Sequence, residues 1–179
     1  MRSFENNLIA GCIVRSVAIA LVAASAPLAF AQSDVQSTIL KHLKTSRDFT
    51  LKVANQMPEA DYGFKLTAPQ MSFAEQMVHL TQALDAFVAP FSGQKPSPAK
   101  PVSMNKKDVI AFMQKSFDAV IAKVSKVTPE QLSKSYASEE GNMTGLEMLL
   151  EMLDHTTHHR ASAEMYLRAK GITPVEYEF

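Results

Sequence analysis

Apolar residues recur every three or four positions along four long segments of the chain, a pattern that predicts amphipathic helices. The predicted helices cover about residues 34–56, 72–91, 106–126 and 144–170. The second and fourth open with Ser72 followed by Glu75 and with Thr144 followed by Glu147, the spacing of a capping box. No segment alternates with period two for long enough to predict a strand. We therefore expect an all-α fold, a four-helix bundle.

Residues 1–31 carry the features of an export signal. Arg2 and Arg15 precede an apolar run, residues 17–26, and Ala29 and Ala31 have the spacing of a signal peptidase site. We expect cleavage after Ala31, a mature domain over 32–179, a periplasmic or secreted protein, and no membrane span after cleavage. The alternative is a retained N-terminal anchor.

Charge and cysteine content narrow the chemistry of the mature chain. The full chain of 179 residues has 18 basic and 18 acidic residues. Without the signal, two Arg and one Glu are lost, which leaves 16 and 17 and a net charge of about −1. Such a chain lacks the basic surface that nucleic acids require. Cys12, the sole cysteine, leaves with the signal, so a nucleophile or metal site would need His, carboxylate or hydroxyl groups.

Three of the five histidines lie close together on the fourth predicted helix. His155 and His159 are four residues apart and therefore share its apolar face, whereas His158 falls on the polar face. Two imidazoles one helical turn apart can bind a single divalent ion, although they can also be ordinary residues at the edge of the core. His42, on the first predicted helix, is expected to be solvated.

A third ligand would have to come from another helix, and His79 on the second is the candidate. It projects onto the flank of that helix beside the small residues Ala83 and Ala86, which would leave room for a ligand. The site would then lie at an edge of the bundle. The chain has no His-Glu-x-x-His and no Glu-x-x-His sequence, which argues against a zincin protease and a ferritin-like di-iron protein.

Taken together, four stretches of the mature chain resemble the DinB-like (DNA-damage-inducible B) superfamily. They are residues 57–64, residues 71–79 up to the first histidine, the His155 to Arg160 motif, and residues 166–174. The resemblance implies a four-helix bundle that holds one divalent metal ion, most often zinc or nickel, through His79, His155 and His159.

The resemblance also suggests a function. Related bacterial proteins are thiol-dependent transferases or isomerases, so we expect a metal-dependent thiol transferase, or a hydrolase that uses the same site. The partner would be a small molecule such as a thiol, and the chain is compatible with a homodimer. Arg160, Gln82 and Tyr166 are candidates for substrate binding, and no catalytic residue is assigned. The alternative is a non-catalytic metal-binding or structural module of the cell envelope.

Overall fold

The structure is a computed structural model that describes residues 35–96, 99–138 and 141–177. Residues Gln36–Phe179 form one compact unit. The expected signal peptide, residues 1–31, lies outside the described residues, as does Cys12. Within the described part of the chain, every helix is too short or too polar to span a membrane.

Five α-helices and one hairpin make up the regular structure of the described residues. The helices are α1 (residues 35–56), α2 (Phe73–Val88), α3 (Lys106–Val124), α4 (Pro129–Ser133) and α5 (Gly145–Ala169). The strands are β1 (Ser135–Ser138) and β2 (Gly141–Thr144). Short 3₁₀ turns cover Glu59–Asp61 and Ala89–Ser92.

Local capping interactions start the helices where the sequence predicts. Ser72 and Thr144 each accept a hydrogen bond from the backbone N–H three residues later, and Glu75 and Glu147 bond back to the cap. These capping boxes satisfy amide groups that a helix start leaves without partners. Helix α2 ends at Val88, three residues before the predicted end, because Pro90 has no N–H to continue the ladder.

The hairpin is a correction to the all-α prediction. Strands β1 and β2 pair antiparallel, with Tyr136 opposite Met143 and Ala137 opposite Asn142. Each strand has only four residues, which is too few for the alternation of polar and apolar positions to stand out. The hairpin leads into α5 through Gly145, where a Cβ would overlap the carbonyl oxygen of Gln131 and lie 2.8 Å from the Phe91 ring.

Helix α2 packs along both α3 and α5. Helix α1 joins the same core, since Gln36 donates hydrogen bonds to the Val124 and Val127 carbonyls and Ser46 accepts one from Arg160 of α5. The core is built from aromatic, leucine and methionine side chains, which include Phe49, Phe73, Phe117, Leu43, Leu80, Leu149, Met77, Met113 and Met152. This packing fixes the face of α2 against the face of α5 on which the histidines lie.

Candidate metal site

Three histidines from two helices meet at one point. His79 comes from α2, and His155 and His159 come from successive turns of α5. Each has a ring nitrogen that lies within 4.8 Å of a ring nitrogen of the other two. The ring centroids are 4.4 Å apart for His155 and His159, 4.6 Å for His79 and His159, and 5.4 Å for His79 and His155. Three imidazoles at this spacing can hold a metal ion.

The site runs from the surface inward. His79 is exposed, His155 is half-buried, and His159 is only 8% exposed. This gradient follows from the helix positions, because His79 lies on the flank of α2 while His155 and His159 share the inward face of α5 with Met152. The cluster therefore lies at an edge of the helical core, as the sequence predicts.

One buried nitrogen of the cluster has no partner among the described residues. The Nε2 atom of His155 is shielded from solvent and makes no hydrogen bond. Such a group costs free energy unless something binds it. Burial, followed by the nearby His79 and His158, lowers the pKa of His155. The lowered pKa favours the neutral imidazole, which has a lone pair available for an ion.

A glutamine orients the most buried histidine. Gln76, itself 5% exposed and one turn before His79 on α2, places its amide 2.6 Å from Nδ1 of His159. Either orientation of the Gln76 amide can form this hydrogen bond. When the amide oxygen accepts the hydrogen bond from Nδ1–H of His159, the lone pair on Nε2 of the same ring is left free. Burial, with smaller effects of the neighbouring histidines, lowers the pKa of His159 to about 4. The residues present thus fit a divalent cation.

Two cavities lie beside the cluster. One, of about 560 Å³, reaches His155 and is lined by α2, α5 and the hairpin. Ala83 and Ala86 line it, as expected for small residues that leave room beside the site. The other, of about 410 Å³, reaches His159 and also contacts Gln76 and Tyr166.

The three predicted substrate-binding residues lie in different places. Arg160 is buried against α1, where its guanidinium donates a 3.0 Å hydrogen bond to Ser46 Oγ and lies 4.4 Å from the centre of the Phe49 ring. Gln82 lines a different cavity between α2 and α3 and donates a hydrogen bond to the carbonyl of Ala99. Tyr166 lines the cavity beside His159.

The hydroxyl of Tyr166 is already engaged. It donates a 2.6 Å hydrogen bond to the carbonyl of Met71, and burial raises its pKa. His42 and His158 are exposed, as predicted. Sequence reasoning missed Gln76, although a polar residue one turn before a candidate ligand on the same face is a signal for it. It also missed the hairpin residues Ala137 and Met143, which line the cavity beside His155.

Comparisons with known proteins agree on the fold. The uncharacterised protein YjoA of Bacillus subtilis (strain 168) is 22% identical over 143 residues, which cover 78% of this chain and 93% of YjoA. The crystal structure of this DinB-like protein superposes with a TM-score of 0.64 at 20% identity and covers 78% of this chain and 96% of that chain. A DinB-like protein from Bacillus cereus ATCC 10987 superposes with a TM-score of 0.66 at 17% identity over 78% and 95% of the two chains.

The assignment of the chain to a family rests on a family model, because sequence identities of 17–22% establish only the fold. The model of the DinB family matches residues 31–179, which includes the whole chain after the expected signal. The match includes both helices that carry the three histidines. The chain therefore belongs to the DinB family.

Proposed function

We propose that this protein binds one divalent metal ion, zinc or nickel, through His79, His155 and His159, and that it is a metal-dependent enzyme acting on a small thiol or in hydrolysis. The observation that carries the proposal is the convergence of ring nitrogens of the three histidines within 4.8 Å of one another. On one of these histidines, His155, the buried Nε2 atom has no hydrogen-bond partner among the described residues. An ion held there would supply a Lewis acid that lowers the pKa of a thiol or a water molecule.

The residues of the chain prepare the site for an ion. His155 and His159 have pKa values below the usual 6.5, so they need not lose a proton at neutral pH before binding a cation. Gln76 holds the ring of His159 by its Nδ1 atom, which fixes the direction of the other nitrogen. Packing of α2 on α5 brings His79 to the same point.

An enzyme needs access to the ion, whereas a structural site is closed by a fourth protein ligand. Within the described part of the chain, the group of candidate ligands has three members, all His. The cavity of about 560 Å³ beside His155 leaves space for a small molecule. These two features favour a catalytic site over the alternative, a metal-binding or structural module of the cell envelope.

Metal content tests the proposal. The purified protein should retain about one equivalent of zinc or nickel after dialysis, measured by elemental analysis. The His155→Ala/His159→Ala variant should retain almost none, because two of the three ligands are gone. His42→Ala is the matched control, since His42 is an exposed histidine on α1 outside the cluster. Loss of metal in the control as well, or no metal in the wild type after reconstitution, would contradict the proposal.

We further propose that the protein is exported and that α1, α2, α3 and α5 form the four-helix bundle of DinB-like type. The family match begins at residue 31, next to the expected cleavage after Ala31, which supports a mature chain that starts at Gln32. The N-terminal sequence of the protein recovered from its native host tests the first point. A protein that retains residues 1–31 would instead support the anchor.

A further inference from the structure

The cavity beside His155 is lined mostly by apolar side chains. We propose that it binds an uncharged, apolar group of the substrate next to the metal and disfavours anionic groups. This inference rests on the proposed function, because it concerns the part of the substrate that lies beside the metal-bound end.

The walls of the cavity are mostly apolar and come mainly from three elements. Ala83 and Phe87 belong to α2, Met148 belongs to α5, and Ala137 and Met143 belong to the hairpin. Methionine side chains adapt to irregular apolar ligands, and Phe87 offers an aromatic surface. The aromatic ring also lies next to the cluster, since its centroid is 5.8 Å from that of His155. An apolar group in this cavity therefore extends from the histidines toward the hairpin.

Away from the ion, the side chains of the cavity wall disfavour anions. Glu151, one turn before His155 on α5, is the one charged residue among the described residues that line it, and neither Lys nor Arg does so. A carboxylate group of a ligand would have to lose water beside apolar walls and a like charge. The cavity between α2 and α3 is different, because Lys95, Lys100 and Lys115 contribute to its walls.

Methionine methyl groups can report which cavity a ligand enters. Met143 and Met148 line the cavity beside His155, whereas Met71 and Met165 line the one beside His159. In metal-loaded protein with ¹³C-methyl methionine, 2-phenylethanethiol should shift the NMR signals of Met143 and Met148 and leave those of Met71 and Met165 in place. It should bind at least about tenfold more tightly than glutathione, which carries a net negative charge.

A paired substitution tests the apolar character of the wall. Met143→Glu adds a second carboxylate to the cavity wall and should weaken binding of 2-phenylethanethiol by about tenfold or more. Met104→Glu is the matched control, since Met104 is an exposed methionine outside the cavity and should change nothing. Metal content is measured for both variants, so that a lost ion is not mistaken for a lost apolar contact.

The outcomes separate this inference from the proposed function. Metal-free protein is titrated with propylbenzene, which has no thiol. Shifts of Met143 and Met148 in a protein that never binds metal would support the cavity while the proposed function fails. Metal-loaded protein that binds glutathione as tightly as 2-phenylethanethiol, or that shifts Met71 and Met165 instead, would overturn the inference while leaving the metal site intact.

Discussion

Replacing Gln76 by Leu should weaken zinc binding by about 10- to 100-fold, or about 1.4 to 2.7 kcal/mol. Gln76 is buried, and its amide is 2.6 Å from Nδ1 of His159, which is itself buried. Leucine is similar in size but offers no hydrogen bond. The ring of His159 would lose the contact that fixes its rotation, and its Nδ1 atom would be left without a partner.

The same substitution should also lower the stability of the metal-free protein. A buried polar atom without a hydrogen bond costs about 1–3 kcal/mol. Because leucine adds apolar contacts in place of the amide, we expect the lower part of this range. The free energy of unfolding measured with urea in the presence of a chelator gives this number separately from the metal affinity.

Competition with a chromophoric chelator at pH 7 measures the affinity for zinc. Gln82→Leu is the matched control, because Gln82 is also on α2 but bonds to the Ala99 carbonyl outside the cluster. Gln76→Glu should retain most of the affinity, since a carboxylate can also accept a hydrogen bond from Nδ1–H. Wild-type affinity in Gln76→Leu would refute the orienting role, and an equal loss in Gln82→Leu would show that the effect is not specific to the site.

Four other measurements test the structure. The metal-free protein should lose up to about 3 kcal/mol of stability as the pH falls from 6.5 to 4. The pKa of His159 is about 4 in the folded protein but near 6.5 in the unfolded chain, so the unfolded chain binds more protons in this range. Urea unfolding of the wild type and of His159→Phe at several pH values checks this. Zinc at 100 times its Kd should raise the free energy of unfolding by about 2.7 kcal/mol, measured by urea unfolding with and without zinc. Gly145→Ala should destabilise the protein by about 2 kcal/mol or more, whereas Gly63→Ala, at an open position, should change the urea midpoint little. Arg160→Ala should cost about 2 kcal/mol through lost packing on α1 while the metal content from elemental analysis stays unchanged.

Much of the helical framework is predictable because its signals are local. The apolar stripe of α2 and the capping boxes at Ser72 and Thr144 depend on residues within one or two turns of each other. The separation of His155 and His159 from the exposed His158 follows from helix periodicity alone. These predictions are confirmed by the structure.

The remaining features depend on contacts between distant parts of the chain. Gln76 bonds to a residue 83 positions away, so its role is visible only once α2 lies against α5. Sequence spacing places His79 on the flank of α2 but does not show that this flank faces His159. The hairpin is stabilised by tertiary contacts such as that between the rings of Tyr136 and Phe91, 5.3 Å apart, rather than by strand patterning.

The positions of the three histidines along the chain determine when the site can form. His79 and His155 are 76 residues apart, and α3, α4 and the hairpin all lie between them. A chain that is still being synthesised therefore presents only His79 of the three until α5 emerges and docks. An ion bound by all three would cross-link α2 to α5 across this span, and because the full set of ligands exists only in the folded chain, its binding energy would stabilise the folded state alone. Capture of the ion would thus be one of the last events in folding, and would lock the completed fold.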